Sequence, residues 1–177
     1  MPRQVALLRG INLARARRVG MADLRELLER EGYGDVRTHL QSGNVVLSSP
    51  LTPRRLEAEL ERLLERRFGF SVPVLVRTRA ELAKVVAADP LRAVATDDSR
   101  YLVSFLSRRL PAKAARELEA ADVAPERIAV AGREIYAWLP GGFQRSRAAK
   151  LLDDSRLGVT STARNWKTVA KLLELAG

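Results

Sequence analysis

The sequence predicts an α+β protein with antiparallel sheets, built as two successive halves. Three observations carry this. Short apolar runs alternate with amphipathic helical stretches in the order βαββαβ over the first half. The most uniformly apolar of these runs are the first and third strands, the two that occupy the middle of the sheet when this order closes into a plait. The second half then begins βαββα, an architectural echo without detectable identity of sequence.

Residues Gln4 to Arg9 are apolar on both alternating faces, as a central strand requires. Met21 to Glu31 sets Leu24, Leu27 and Leu28 on one stripe, with Asp23 and Glu26 early, Arg30 late and Gly32 as the stop, and so reads as a helix. Val36 to Leu40 alternates, Val45-Val46-Leu47 is continuously apolar, and Gln41-Ser42-Gly43-Asn44 turns between them as a hairpin with one edge strand. Thr52-Pro53 supplies an N-cap and first helical residue for a helix carrying Leu56, Leu60, Leu63 and Leu64 as far as Gly69. Pro73 to Val76 is the next strand. Thr78-Arg79-Ala80-Glu81 is a capping box that opens a helix closed by Asp89-Pro90.

After a linker to Ser99, Tyr101 to Leu106 reads as a strand and Pro111 to Ala121 as a helix. Arg127 to Val130 and Ile135 to Leu139 form a hairpin turning at Gly132-Arg133. Helices are expected over 144–153 and 165–176. The pattern describes a ferredoxin-like first subdomain, residues 1–90 with the connecting helix, and a second, α/β plait-like half over residues 91–177 that repeats its architecture.

A chain of 177 residues buries a real core without a staple, and with no cysteine it forms no disulfide and no thiolate metal site. No apolar stretch approaches a membrane span and no charged-then-apolar leader opens the sequence, so a cytoplasmic protein with no membrane partner is expected. The formal charge of +10 points to phosphate-bearing partners. A blander source competes: arginine far outnumbers lysine, as a GC-rich coding bias produces, and the charge is spread over helices.

Counting removes most catalytic constellations. His39 is the only histidine, so a two-histidine metal motif is excluded and a Ser-His-Asp set would have to recruit a strand residue. No Gly-Lys-Ser/Thr string exists for a P-loop, which leaves the Pro140 to Arg147 loop a weak phosphate cradle. Ser146 and Lys150 share a helical face, as chance neighbours often do, and Asp97-Asp98-Ser99 reads as a turn. Tyr136 and Trp138 share one strand face, either as a stacking platform for bases or as packing. No metal or cofactor is expected.

Three polar blocks remain as candidate ligand sites. At the end of the first strand Arg9 suits a phosphate or carboxylate and Asn12 offers an amide, with the basic loop Arg15 to Arg18 beside them; the bland reading is a solvated basic loop. In the Gln41 to Asn44 turn, a hairpin accounts for Gly43 and Asn44 but does not require Gln41 or Ser42. In Arg164-Asn165-Trp166-Lys167-Thr168, Asn165 is a natural N-cap, Lys167 adds charge at a helix start, and Trp166 lies on the apolar stripe.

Together, the strings Ala6 to Asn12, Met21 to Arg25, Val36 to Val46 and Arg164 to Val169 resemble the family called domain of unknown function 1697. The resemblance spans Val5 to Leu175 and implies two ferredoxin-like subdomains but no activity. Two departures stand out. Leu13-Ala14-Arg15-Ala16 replaces the glycine pair and lysine usual after Ile11-Asn12, and Arg147 replaces a lysine after Ser146. Arginine keeps the charge but not the capacity to act as a base near neutral pH, which favours binding over lysine chemistry. The expectation is therefore an anion-binding protein. Its ligand is phosphate-bearing, nucleic acid and nucleotides included, and meets Arg9, Asn12, Gln41, Ser42, Asn44, Asn165 and Lys167 in one shared hollow. The alternative is an enzyme acting on a small anionic substrate with no recognisable base.

Overall fold

The computed structural model describes residues 1–177 and contains two four-stranded antiparallel sheets, each packed with helices. The first half comprises β1 (Arg3–Leu8), α1 (Met21–Arg30), β2 (Gly34–His39), β3 (Asn44–Ser48), α2 (Pro53–Phe68) and β4 (Val74–Thr78), followed by α3 (Arg79–Ala88). The second comprises β5 (Tyr101–Leu106), α4 (Ala112–Glu119), β6 (Arg127–Ala131), β7 (Glu134–Trp138), α5 (Arg147–Leu151), α6 (Asp154–Leu157), β8 (Ser161–Asn165) and α7 (Trp166–Leu175). Strand orders are β2-β3-β1-β4 and β6-β7-β5-β8, the same plait twice. By contacts the chain divides into Met1–Lys84 with Lys171–Gly177, and Val85–Ala170.

In the first unit β1 and β3 sit centrally, paired from Arg3 opposite Ser48 to Leu7 opposite Asn44. Ala6, Leu8, Val45 and Leu47 join Leu24, Leu28, Leu56, Leu60 and Leu64 in the helix-side core. Val5, Leu7, Val46 and Leu75 point the other way and are equally buried, which is why β1 reads as apolar on both faces. The edge strand β4 is closed by α2: the N–H groups of Val74 and Val76 donate to the carboxylates of Glu61 and Glu57, both at 2.9 Å. The capping box at α3 forms as its sequence requires. The Thr78 N–H donates to Glu81 at 2.8 Å and the Glu81 N–H to the Thr78 hydroxyl at 3.1 Å.

In the second unit Ile135, Ala137, Leu106 and Leu139 face the helices. Tyr101, Val103, Phe105 and Tyr136 lie on the opposite face, also buried. The Tyr136 hydroxyl donates to the Val85 carbonyl at 2.9 Å, and Trp166 stacks on Tyr101 with centroids 4.7 Å apart. Tyr136 and Trp138 are thus packing residues, and no base-stacking platform exists on this sheet. Burial raises the Tyr101 and Tyr136 hydroxyls well above the ordinary tyrosine range.

Sequence and structure differ at two places. The segment Ser161 to Asn165, in which Thr162 is the only β-branched residue, carries no strand assignment from sequence, yet it forms β8 and pairs along β5 from Leu102 opposite Asn165 to Leu106 opposite Ser161. The helix expected over 144–153 shrinks to α5, because the chain from Pro140 to Ser146 is a turn closed by the Glu126 carboxylate.

Candidate functional site

The first two polar blocks meet in the first unit. Beyond β1, Ile11 and Val19 anchor the ends of the β1–α1 connection in the core, each about 1% exposed. Between them Asn12, in the left-handed region at φ 55°, acts as a clasp. Its amide nitrogen donates to the carbonyls of Val19 (2.9 Å) and Gln41 (2.7 Å), its amide oxygen accepts the Val19 N–H (2.9 Å), and its own N–H donates to the Arg17 carbonyl (3.1 Å). Asn12 therefore closes the loop on itself and ties it to the hairpin turn. Both of its amide protons are used internally, so its part is to shape the edge.

Gly43 makes that approach possible. At φ 89° it takes a conformation that L side chains rarely adopt, and a Cβ there would stand 2.7 Å from both Leu8 Cβ and Ile11 Cδ1. Its carbonyl accepts the Leu8 N–H at 2.8 Å. Asn44 is fully buried and donates to the His39 carbonyl at 2.7 Å and the Ser42 hydroxyl at 3.1 Å, holding the turn from beneath. Leu40, exposed and at φ 62°, carries backbone strain of about 1–2 kcal/mol for a branched side chain. Gln41 and Ser42 are exposed and Arg9 is half-buried on the same edge.

Arg17 folds back: its guanidinium donates to the carbonyls of Gly10 (2.8 Å) and Ser71 (2.7 Å) and lies 4.9 Å over the Phe70 ring. Arg15 and Arg18 differ. Both are exposed and neither makes an ion pair, so the clasped loop presents two outward cations. The sequence marks these residues as a basic loop but gives them no direction, because an irregular segment offers no periodicity from which to assign one.

The third block lies in the second unit. Asn165 ends β8 and caps α7, its side-chain oxygen accepting the Thr168 N–H at 3.0 Å. Trp166 is packed on Tyr101. The Arg92 guanidinium sits 5.2 Å from the Trp166 ring and 5.4 Å from the Tyr101 ring, held by Asp89 and Asp98 at 2.8 Å each. Lys167 is exposed. Hydrogen bonds from Ser99, then the charges of Lys167 and Arg100, hold the Asp97 carboxyl below its ordinary range. Arg164 is buried, donating to the Thr162 hydroxyl at 2.6 Å and the Ala163 carbonyl at 2.9 Å, and burial pushes its pKa down to about 10.

The weaker candidates resolve into structure. The Pro140 to Arg147 loop is filled by Glu126, whose carboxylate accepts the Arg147 N–H at 2.9 Å and the Ser146 hydroxyl. Ser146 is buried and caps α5, so it forms no nucleophile pair with Lys150. Asp97 closes a turn with Ser99 at 2.6 Å and Asp98 pairs with Arg92.

What these features define is a two-plait α+β protein with a clasped, cation-bearing loop edge on its first plait. The family model described as "Protein of unknown function (DUF1697)" matches residues 1–136, and the chain belongs to that family. The block around Asn165 lies beyond the matched residues. Among solved structures the chain is similar to the conserved bacterial protein SP0830 from Streptococcus pneumoniae, at 21% identity, covering 99% of each chain with a TM-score of 0.80, a likeness of fold. No curated protein matches. No helix is long and apolar enough to cross a membrane.

Proposed function

We propose that the loop edge of the first unit binds a phosphate-bearing ligand, nucleic acid or nucleotide, by charge and directional hydrogen bonds. Arg9, Arg15 and Arg18 meet the phosphates, and Gln41 and Ser42 add polar contacts. Asn12 and Asn44 hold the two loops in place.

The observation that supports this reading best is the pair of exposed, unpaired arginines on a loop that is already ordered, which lowers the entropic cost of engagement. The overall charge of +10 works in the same direction. Both sheets bury the aromatic and aliphatic residues of the face opposite their helices, so recognition falls on the phosphates rather than on stacked bases. Fluorescence anisotropy with a labelled single-stranded oligonucleotide and a fluorescent nucleotide tests it. Saturable binding that weakens with salt is expected; no binding to either probe at low salt overturns it.

A further inference from the structure

α4 covers its sheet differently from its counterpart. α2 buries Leu56, Leu60, Leu63 and Leu64, whereas α4 buries no residue at all. A groove of about 350 Å³ is lined by Leu110 and by Ala114 and Leu118 of α4, together with Leu151 of α5 and Leu157 of α6. All of these belong to the second unit. We propose that this groove is a binding site for an aliphatic monocarboxylate of medium chain length.

The chemistry follows from the lining. Apolar side chains from α4, α5 and α6 suit an unbranched hydrocarbon chain, and a cavity of this size lies within the range that holds small organic ligands. Arg156, in the last turn of α6, also lines the groove; it is exposed and makes no ion pair. Its guanidinium is free to take a carboxylate in a bidentate pair. Glu117 lies in the same lining, but Lys113 stands 3.9 Å from it on the same helix and offsets its charge toward an anionic head group. One unpaired cation beside an apolar trough matches an amphipathic molecule with one negative end.

The test is titration of the isotopically labelled protein with hexanoate, octanoate and decanoate, followed by amide NMR shifts. Saturable shifts at Leu110, Leu118 and Leu157 are expected, with affinity rising about two- to fourfold for each added methylene. Arg156→Gln should weaken octanoate about tenfold and leave octan-1-ol unchanged. Ala114→Phe should fill the groove and remove the shifts. Absence of saturable shifts at these amides, affinity independent of chain length, or octanoate binding unchanged in Arg156→Gln overturns the proposal. Because Arg156 is a surface residue, its variant keeps the fold and the test remains decisive where Ala114→Phe unfolds.

Discussion

The two plaits follow one strand order and are finished differently. In the first, the β1–α1 connection runs from Arg9 to Gly20, is pinned at Ile11 and Val19, and is clasped by Asn12. In the second, the matching β5–α4 connection spans only Ser107 to Pro111, and Arg108 donates to the Gly158 carbonyl at 2.7 Å. The helices differ in the opposite sense: the sixteen residues of α2 fill their side of the sheet, and the eight of α4 line a groove. Topology thus fixes the scaffold, while connection length and helix fill decide where a ligand has room.

Truncation of core leucines should expose this contrast most strongly. Leu60→Ala, in a fully packed site, is expected to cost about 2–5 kcal/mol in urea unfolding, whereas Leu118→Ala, already beside open space, should cost about 1 kcal/mol. Equal losses would contradict the looser packing of α4.

The hairpin turns offer the next test. Gly43→Ala meets Leu8 and Ile11 at 2.7 Å on top of a positive φ and should cost about 2–4 kcal/mol. At Gly132, also left-handed, an added Cβ finds only the Glu134 carboxylate at 3.6 Å, so Gly132→Ala should cost about 1 kcal/mol. Thermal unfolding of the pair measures the difference.

The two asparagines follow. Asn12→Ala removes three side-chain hydrogen bonds and should cost about 1–2 kcal/mol while loosening the loop, visible as faster amide exchange at Val19. Asn165→Ala removes a helix cap and should cost about 1 kcal/mol without altering that exchange.

Tyrosine titration separates the halves by pH. Burial raises Tyr33 above the ordinary 10.0, with Glu59 and Glu31 adding to the shift, and raises Tyr101 and Tyr136 further. Tyr33 should therefore ionise first in the folded protein, followed by ultraviolet absorbance. A folded pKa above the unfolded one means stability that is fully present below pH 10 and is lost as pH rises through the folded values, so the unfolding free energy should fall above pH 10. Tyrosinate absorbance half-developed at pH 10 in the native protein would contradict the burial of these rings.

Much of this scaffold was legible in the chain because its signals are local. Thr78 and Glu81 form their capping box, Thr52-Pro53 and Gly69 bound α2, and seven strands lie where apolar runs or alternation place them. β8 escaped because Ser161, Thr162 and Arg164 enter the sheet through pairing with β5 and carry no β-forming pattern of their own. At the candidate site the polar blocks were visible but their division of labour was not. An asparagine that clasps a loop and one that greets a ligand look alike in sequence, and only the carbonyls of Val19, Gln41 and His39 tell them apart. Arg15 and Arg18 are exposed on the loop that Asn12 closes on Val19 and ties to the Gln41 carbonyl, and that tie to a turn 29 residues away is not written in the loop's own residues.

The central claim is that the first unit's loop edge, not diffuse basicity, engages phosphate. The salt dependence of oligonucleotide affinity tests it directly in the double variant Arg15→Ala/Arg18→Ala and in Arg116→Ala/Arg127→Ala, which removes the same charge from exposed positions of the second unit. The account predicts that the log–log salt slope falls by about two units in the first variant and is unchanged in the second. Equal slopes in the two variants would contradict it.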